Sequence, residues 1–130
     1  MTWIQFTKIY CLTLLVFLII DFLWLGIIAK GFYSRHLGHL MKDSVNWTAA
    51  ILFYLVFIAG MLVFVIHPAA AAQNALRALC LGMLYGLVTY ATFDLTSLAL
   101  LKGWSPTVVI VDIIWGILLS GIVSSVGYRI

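Results

Sequence analysis

Four long apolar runs separated by short polar stretches organise the chain: Ile9 to Ala29, Trp47 to Ile66, Ala75 to Leu101 and Thr107 to Gly127. An α-helix needs about 20 apolar residues to cross the hydrocarbon of a bilayer. Each run therefore predicts one spanning helix, and together they predict an all-α, integral membrane, four-helix up-and-down bundle forming a single transmembrane domain over residues 1–130. The first run follows Lys8 as a signal peptide would, but it is too long, carries Asp21 and lacks a small-residue cleavage site, so it reads as a retained helix. Lys30 to Asn46 is the one sizeable polar connection, and its Phe32, Tyr33, Leu37, Leu40 and Met41 fit the lipid side of a short interfacial helix. The links near His67-Pro68 and at Lys102-Gly103-Trp104-Ser105-Pro106 are brief and hold residues that break or start helices.

Four crossings put both termini and the middle link on one side, here the terminal face, and the long connection and the Lys102 turn on the other, the loop face. Lys8, Arg77 and Arg129 fall on the terminal face, against Lys30, Arg35, Lys42 and Lys102 on the loop face, a bias of one that leans toward a cytoplasmic loop face. Composition excludes a soluble globule, because 65% hydrophobic and 8% charged residues leave too little polar surface to coat one. The expected location is a cell inner membrane, crossed several times, with membrane lipids as neighbours and a homo-oligomer as a further option. The net charge of +3 comes from basic residues scattered singly, which argues against nucleic acid. Cys11 and Cys80 each sit inside an apolar run, so buried inert thiols are expected rather than a disulfide or zinc site.

The acids carry the most information: of Asp21, Asp43, Asp94 and Asp112, only Asp43 lies in a loop. An ionisable side chain at a helix centre costs roughly 2.5 to 3.5 kcal/mol on insertion scales, so the other three must face one another or water. Helical rise sets Asp21 about 12 Å, Asp94 about 10 Å and Asp112 about 8 Å below the loop face, with Tyr54 of the remaining helix at about 10 Å. Each helix thus contributes one polar residue to one layer. Ala78, Gly82, Gly86, Tyr90 and Asp94 recur every four residues, as do Asp112, Gly116, Ser120 and Ser124. These small-residue stripes let two antiparallel helices approach closely and predict a bundle tight toward the terminal face and open toward the loop face. Packing alone explains the glycines and serines, but not the carboxyls.

Asp-x-x-Trp occurs twice, at Asp21 with Trp24 and Asp112 with Trp115, and the three-residue step puts each indole on the face of its own acid as a candidate aromatic wall. The plainer explanation is that tryptophans gather at membrane interfaces anyway. Crowded carboxyls in a low-dielectric layer are not all ionised together. The one that keeps its proton can exchange it with a cationic ligand, donate to a carbonyl or act as a general acid beside an ionised partner. Asp21, Asp94 and Asp112 are the candidate proton-binding or catalytic residues, and Tyr54, Tyr90, Thr96, Trp24 and Trp115 the candidate substrate contacts. His36 and His39 are spaced as a weak metal pair above the layer. No phosphate cradle, serine elbow or cysteine-histidine pair is present, so no cofactor is expected.

Tyr90-Ala91-Thr92-Phe93-Asp94-Leu95-Thr96, with Asp21-x-x-Trp24, Phe32-Tyr33 and Val111-Asp112-x-x-Trp115-Gly116, resembles a family of small bacterial membrane proteins catalogued as a domain of unknown function. The resemblance covers nearly the whole chain, and Phe93 stands where a second tyrosine is expected at least as often. It implies a four-helix membrane fold and brings no reaction, substrate or cofactor. Three functions stay open: proton-coupled binding or transport of a small cationic or weakly basic solute; an intramembrane isomerase or hydrolase acting on a lipid, isoprenoid or quinone; and an assembly or stabilising subunit whose polar layer is internal glue. In size and helix count the first looks like the small multidrug exporters, although their motifs are missing. The off-centre depth of the layer favours the second, since transporter sites usually lie near the midplane.

Overall fold

Helix α1, Trp3–Leu23, begins ahead of its apolar run because Thr2 caps it. The Thr2 hydroxyl accepts from the Gln5 backbone N–H at 3.1 Å, and the Gln5 side chain accepts from the Thr2 N–H at 3.0 Å, satisfying donors that a helix start leaves open. In the computed structural model, which describes residues 2–41 and 46–130, α1 runs on through a π turn, Trp24–Ile28, into α2, Lys30–Leu37, and a short 3-10 turn, Gly38–Leu40. The second crossing consists of α3, Trp47–Met61, a second π turn, Leu62–Ile66, and α4, His67–Ala71. Then follow α5, Ala75–Leu100, and α6, Pro106–Arg129. Among the described residues every element is helical, and four stretches, Trp3–Ile28, Trp47–Ala71, Ala75–Leu100 and Pro106–Arg129, are long and apolar enough to cross a membrane. Lys42 and Asp43 lie outside the described residues.

The middle link differs from its expected place. Proline in a helix lacks an N–H and crowds the carbonyl four residues back, yet the helix does not end at Pro68. Instead the preceding turn widens, and the His67 N–H bonds the Leu62 carbonyl five residues back. The widened turn absorbs the ring, and the true link is Ala72 to Asn74, where Gln73 adopts φ 51°. The Asn74 side chain then caps α5 by accepting from the Arg77 N–H at 3.1 Å, as Asn46 caps α3 at 3.2 Å and Ser105 caps α6 at 3.3 Å.

Helices α5 and α6 form the closest pair in the bundle, as the small-residue stripes predict. Ala78, Gly82, Gly86 and Asp94 are buried, and so are Gly116, Ser120 and Ser124 facing them. A Cβ on Gly82 would come within 2.7 Å of the Ser124 side chain, and one on Gly86 would run into the Gly116 carbonyl. Helix α1 packs on α6 and on α3, while the second crossing closes the ring against α5 mainly through its second π turn and α4. The apolar core of Phe17, Phe57, Ile58, Met61, Leu62, Val65, Ile66, Leu119 and Val123 therefore fills the terminal half. Toward Trp47, α3 and α5 diverge. The outer surface is apolar, with Val56, Leu84, Val88 and Ile110 more than half exposed, as suits helices bathed in lipid. Cys11 and Cys80, expected to be buried, are exposed. Each stands two residues off a buried stripe (Thr13, Phe17 and Asp21, or Ala78, Gly82 and Gly86), which turns it to the opposite helix face.

Candidate functional site

The divergence of α3 from α5 leaves a cavity of about 410 Å³ in the loop-face half, lined from all four crossings. Helix α1 and its π turn supply Asp21 and Leu25, α3 supplies Ala50, Phe53 and Tyr54, α5 supplies Thr89, Tyr90 and Phe93, and α6 supplies Asp112 and Trp115. Its walls are overwhelmingly apolar and aromatic, and Leu25, Phe53 and Phe93 at its mouth are 40 to 57% exposed among the lipid-facing side chains. The opening is sideways, between helices, and the core beneath closes the way to the terminal face.

Asp112 is the hub of the acids. It stands within Coulombic reach of Asp21 on one side and Asp94 on the other, so α1, α5 and α6 bring their carboxyls together. Asp21 and Asp112 border the cavity, whereas Asp94 lies behind Asp112, wholly buried. Neither Asp94 oxygen meets a donor among the described residues, and its carboxyl faces that of Asp112. Two carboxyl groups hydrogen-bond to each other only across a shared proton, because an ionised carboxylate can only accept.

The two Asp-x-x-Trp motifs interlock rather than act separately. The Trp115 indole N–H donates to Asp21 Oδ1 at 3.3 Å, across to the other motif's acid. Trp24 stacks flat on Trp115, with ring centroids 4.3 Å apart and planes inclined by 9°, and its N–H donates to the Tyr33 hydroxyl at 3.2 Å. Tyr33 in turn donates to Asp112 Oδ1 at 2.7 Å. Neither indole bonds its own motif's acid: α1 and α6 are antiparallel neighbours, Trp115 reaches across to Asp21, and Trp24 is joined to Asp112 only through Tyr33 of α2. Trp115 lines the cavity; Trp24 backs it and does not.

Tyr33 is the site residue that sequence reasoning missed, having assigned it with Leu37 to the lipid side of an interfacial helix. Both are instead buried, packed with Ala29 and Val108, while Leu40 and Met41 are exposed. The signal was the spacing Ala29, Tyr33, Leu37, a four-residue stripe with one hydroxyl in it. Burial pushes the Tyr33 hydroxyl above the usual phenol range, so it stays a donor. The π turn at Trp24–Ile28 delivers the chain to α2, the Ala29 N–H bonding the Trp24 carbonyl at 2.7 Å; such wide turns often occur beside functional groups.

Tyr54 and Tyr90 both line the cavity. Tyr54 packs edge-on against Phe17 at 5.7 Å, and the Tyr90 ring lies where a side chain on Gly116 would have to be. Thr96 is not brought to the site: two residues beyond Asp94 it is rotated about 200° around the helix and is exposed. His36 Nδ1 bonds the Phe32 carbonyl at 2.9 Å and His39 Nε2 the Gly103 carbonyl at 3.2 Å. The two are not gathered with the acids, and no group of three metal-binding side chains occurs among the described residues.

No curated protein and no solved structure matches the chain. The residues that assemble this layer, from Asp21 to Trp115, all lie within one family model, and over residues 6–129 the chain belongs to the family described as "Predicted membrane protein (DUF2177)".

Proposed function

We propose that this protein binds a small cationic or weakly basic amphiphile in the cavity between its helices and exchanges it for protons, as a transporter or carrier of such solutes in a cell inner membrane. The observation that carries the reading is the pairing of Asp21 and Asp112 in one aromatic-walled cavity of about 410 Å³, a volume within the range of small-molecule sites. A protonated amine fits this chemistry: the carboxyls offer counter-charge, and Phe53, Tyr54, Tyr90 and Trp115 offer ring faces for the cation–π attraction that such ligands favour. The sideways mouth suits a solute that partitions into lipid first. Asp94, behind Asp112, supports proton exchange, since a proton shared within that pair is available when a cation arrives at the cavity side.

The lateral opening also favours a second reading, an intramembrane enzyme that draws a lipid-like substrate from the bilayer and uses the Asp94–Asp112 pair as acid and base. The test is binding of a fluorescent lipophilic amine to the purified protein in proteoliposomes, with flux followed under a pH gradient. Asp112→Asn keeps an acceptor for Tyr33 and removes the ionisable group. Saturable binding by the parent, weakened at least about tenfold by Asp112→Asn and Asp21→Asn in folded protein, is expected, with loss of flux in both; tenfold corresponds to about 1.4 kcal/mol. Equal binding by parent and variants would overturn it. A chemically altered lipid retained only by the parent would favour the enzyme, and loss of stability without any ligand would return the acids to the role of internal glue.

A further inference from the structure

A second cleft, of about 520 Å³, opens at the opposite end of the bundle and is lined by Gln5, Lys8 and Ile9 of α1, His67, Ala70 and Ala71 of α4, and Ile130. A groove adjoining it shares His67 and continues along Thr2, Trp3, Phe6 and Val63. We propose that the two together form a binding site for a membrane phospholipid bearing net negative charge, its phosphate held by Lys8, His67 and Gln5 and an acyl chain laid along Phe6 and Val63.

Three observations carry this. The first is charge: the terminal face holds Lys8, His67, Arg77 and Arg129, and no acid occurs among its described residues, because Asp21, Asp94 and Asp112 all belong to the other half. An anion arriving there meets only basic or neutral side chains, with Lys8 and His67 lining the cleft itself. The second is depth. Lys8 lies five residues inside the start of α1 and His67 four before the end of α4, so helical rise sets them about 7.5 Å and 6 Å from that end. That is the thickness of the headgroup layer on one side of a bilayer, about 5 to 7.5 Å. Both side chains are exposed, and a lysine there extends its ammonium to the phosphate level while its stem stays in apolar surroundings. The third is continuity. A free phosphate uses only the polar cleft, whereas a lipid also needs an apolar path leading inward from it, and the groove along Phe6 and Val63 supplies one.

The experiment counts lipids retained by the protein in native mass spectrometry, with phosphatidylglycerol, phosphatidylcholine, glycerophosphate and inorganic phosphate each added as the probe. The parent is expected to hold one phosphatidylglycerol in preference to phosphatidylcholine. Lys8→Ala should weaken it on the order of fivefold, from about 1 kcal/mol for each basic residue near an anionic headgroup, and Lys8→Ala with His67→Ala further. Lys102→Ala, at the far end, should leave it unchanged. Val63→Trp, which fills the groove, should weaken the lipid and not glycerophosphate. Equal retention of the two lipids, or full retention by the Lys8 and His67 variants, overturns the site. Binding of inorganic phosphate with the same variant dependence but no lipid preference overturns the lipid assignment.

Discussion

Replacing Tyr33 by phenylalanine removes one hydroxyl and keeps the ring, so it deletes the bond donated to Asp112 together with the longer one accepted from the Trp24 indole. Helix α2 has eight residues, too few to persist in water by its own hydrogen bonds, so it stays folded only while docked. Its dock consists of the buried Tyr33 and Leu37 on Ala29 and Val108, plus the 2.7 Å bond from Tyr33 to Asp112 and the 3.2 Å bond from the Trp24 indole to Tyr33. Leaving a partly buried acceptor without its donor costs roughly 1 to 3 kcal/mol, and each 1.4 kcal/mol is about tenfold in an equilibrium. Tyr33→Phe should therefore raise the opening of α2 about 5- to 100-fold, because the apolar part of the dock is unchanged. Amide hydrogen exchange followed by mass spectrometry reads this directly: peptides covering residues 30–37 should exchange faster by that factor. Peptides from α6 around Leu119 and Val123, in the core, serve as the internal reference. Protection of α2 within twofold of the parent would refute the reasoning, as would equal loosening of α6, since the bond would then hold the whole bundle rather than this helix.

Gly116→Ala sets a methyl group against the Tyr90 ring and should cost about 1 to 3 kcal/mol, as overpacking does, read as a lower unfolding midpoint in detergent; parent-like stability would show that the α5–α6 approach is looser than described. Thr96→Val, on the exposed face of α5, should change stability by less than about 0.5 kcal/mol and leave amine binding at the parent level; a loss of binding would bring Thr96 back into the site.

The four-helix architecture was legible because a spanning helix is specified by length and apolarity, both of which the sequence states outright. The facing of α5 and α6 was legible for a related reason: glycine, alanine and serine every four residues leave only one side on which backbones can approach. Side-chain rotation was harder to foresee. Thr96 shares a motif with Asp94, but adjacency in sequence is not adjacency on a helix, and the exposed face took it. Tyr33 was hidden because α2 is amphipathic with aromatic residues on both faces, Phe32 half-buried and Tyr33 buried, so apolarity alone did not say which face meets the bundle. Pro68 misled because a helix break is the commoner response to proline, whereas here the turn before it widens and the helix runs on to Ala71. The crosswise exchange of the indoles required knowing which helices are neighbours.

That exchange has a consequence for biogenesis. The partners it joins, Asp21 with Trp115 and Tyr33 with Asp112, are separated by 94 and 79 residues, so the first helix enters the bilayer carrying a carboxyl whose indole donor has not yet been synthesised. The α5–α6 hairpin can zip as soon as it emerges, since its contacts are local along the chain. The stack of Trp24 on Trp115 is then a clasp that closes last, and a nascent chain stopped before α6 has neither the clasp nor the polar layer it secures.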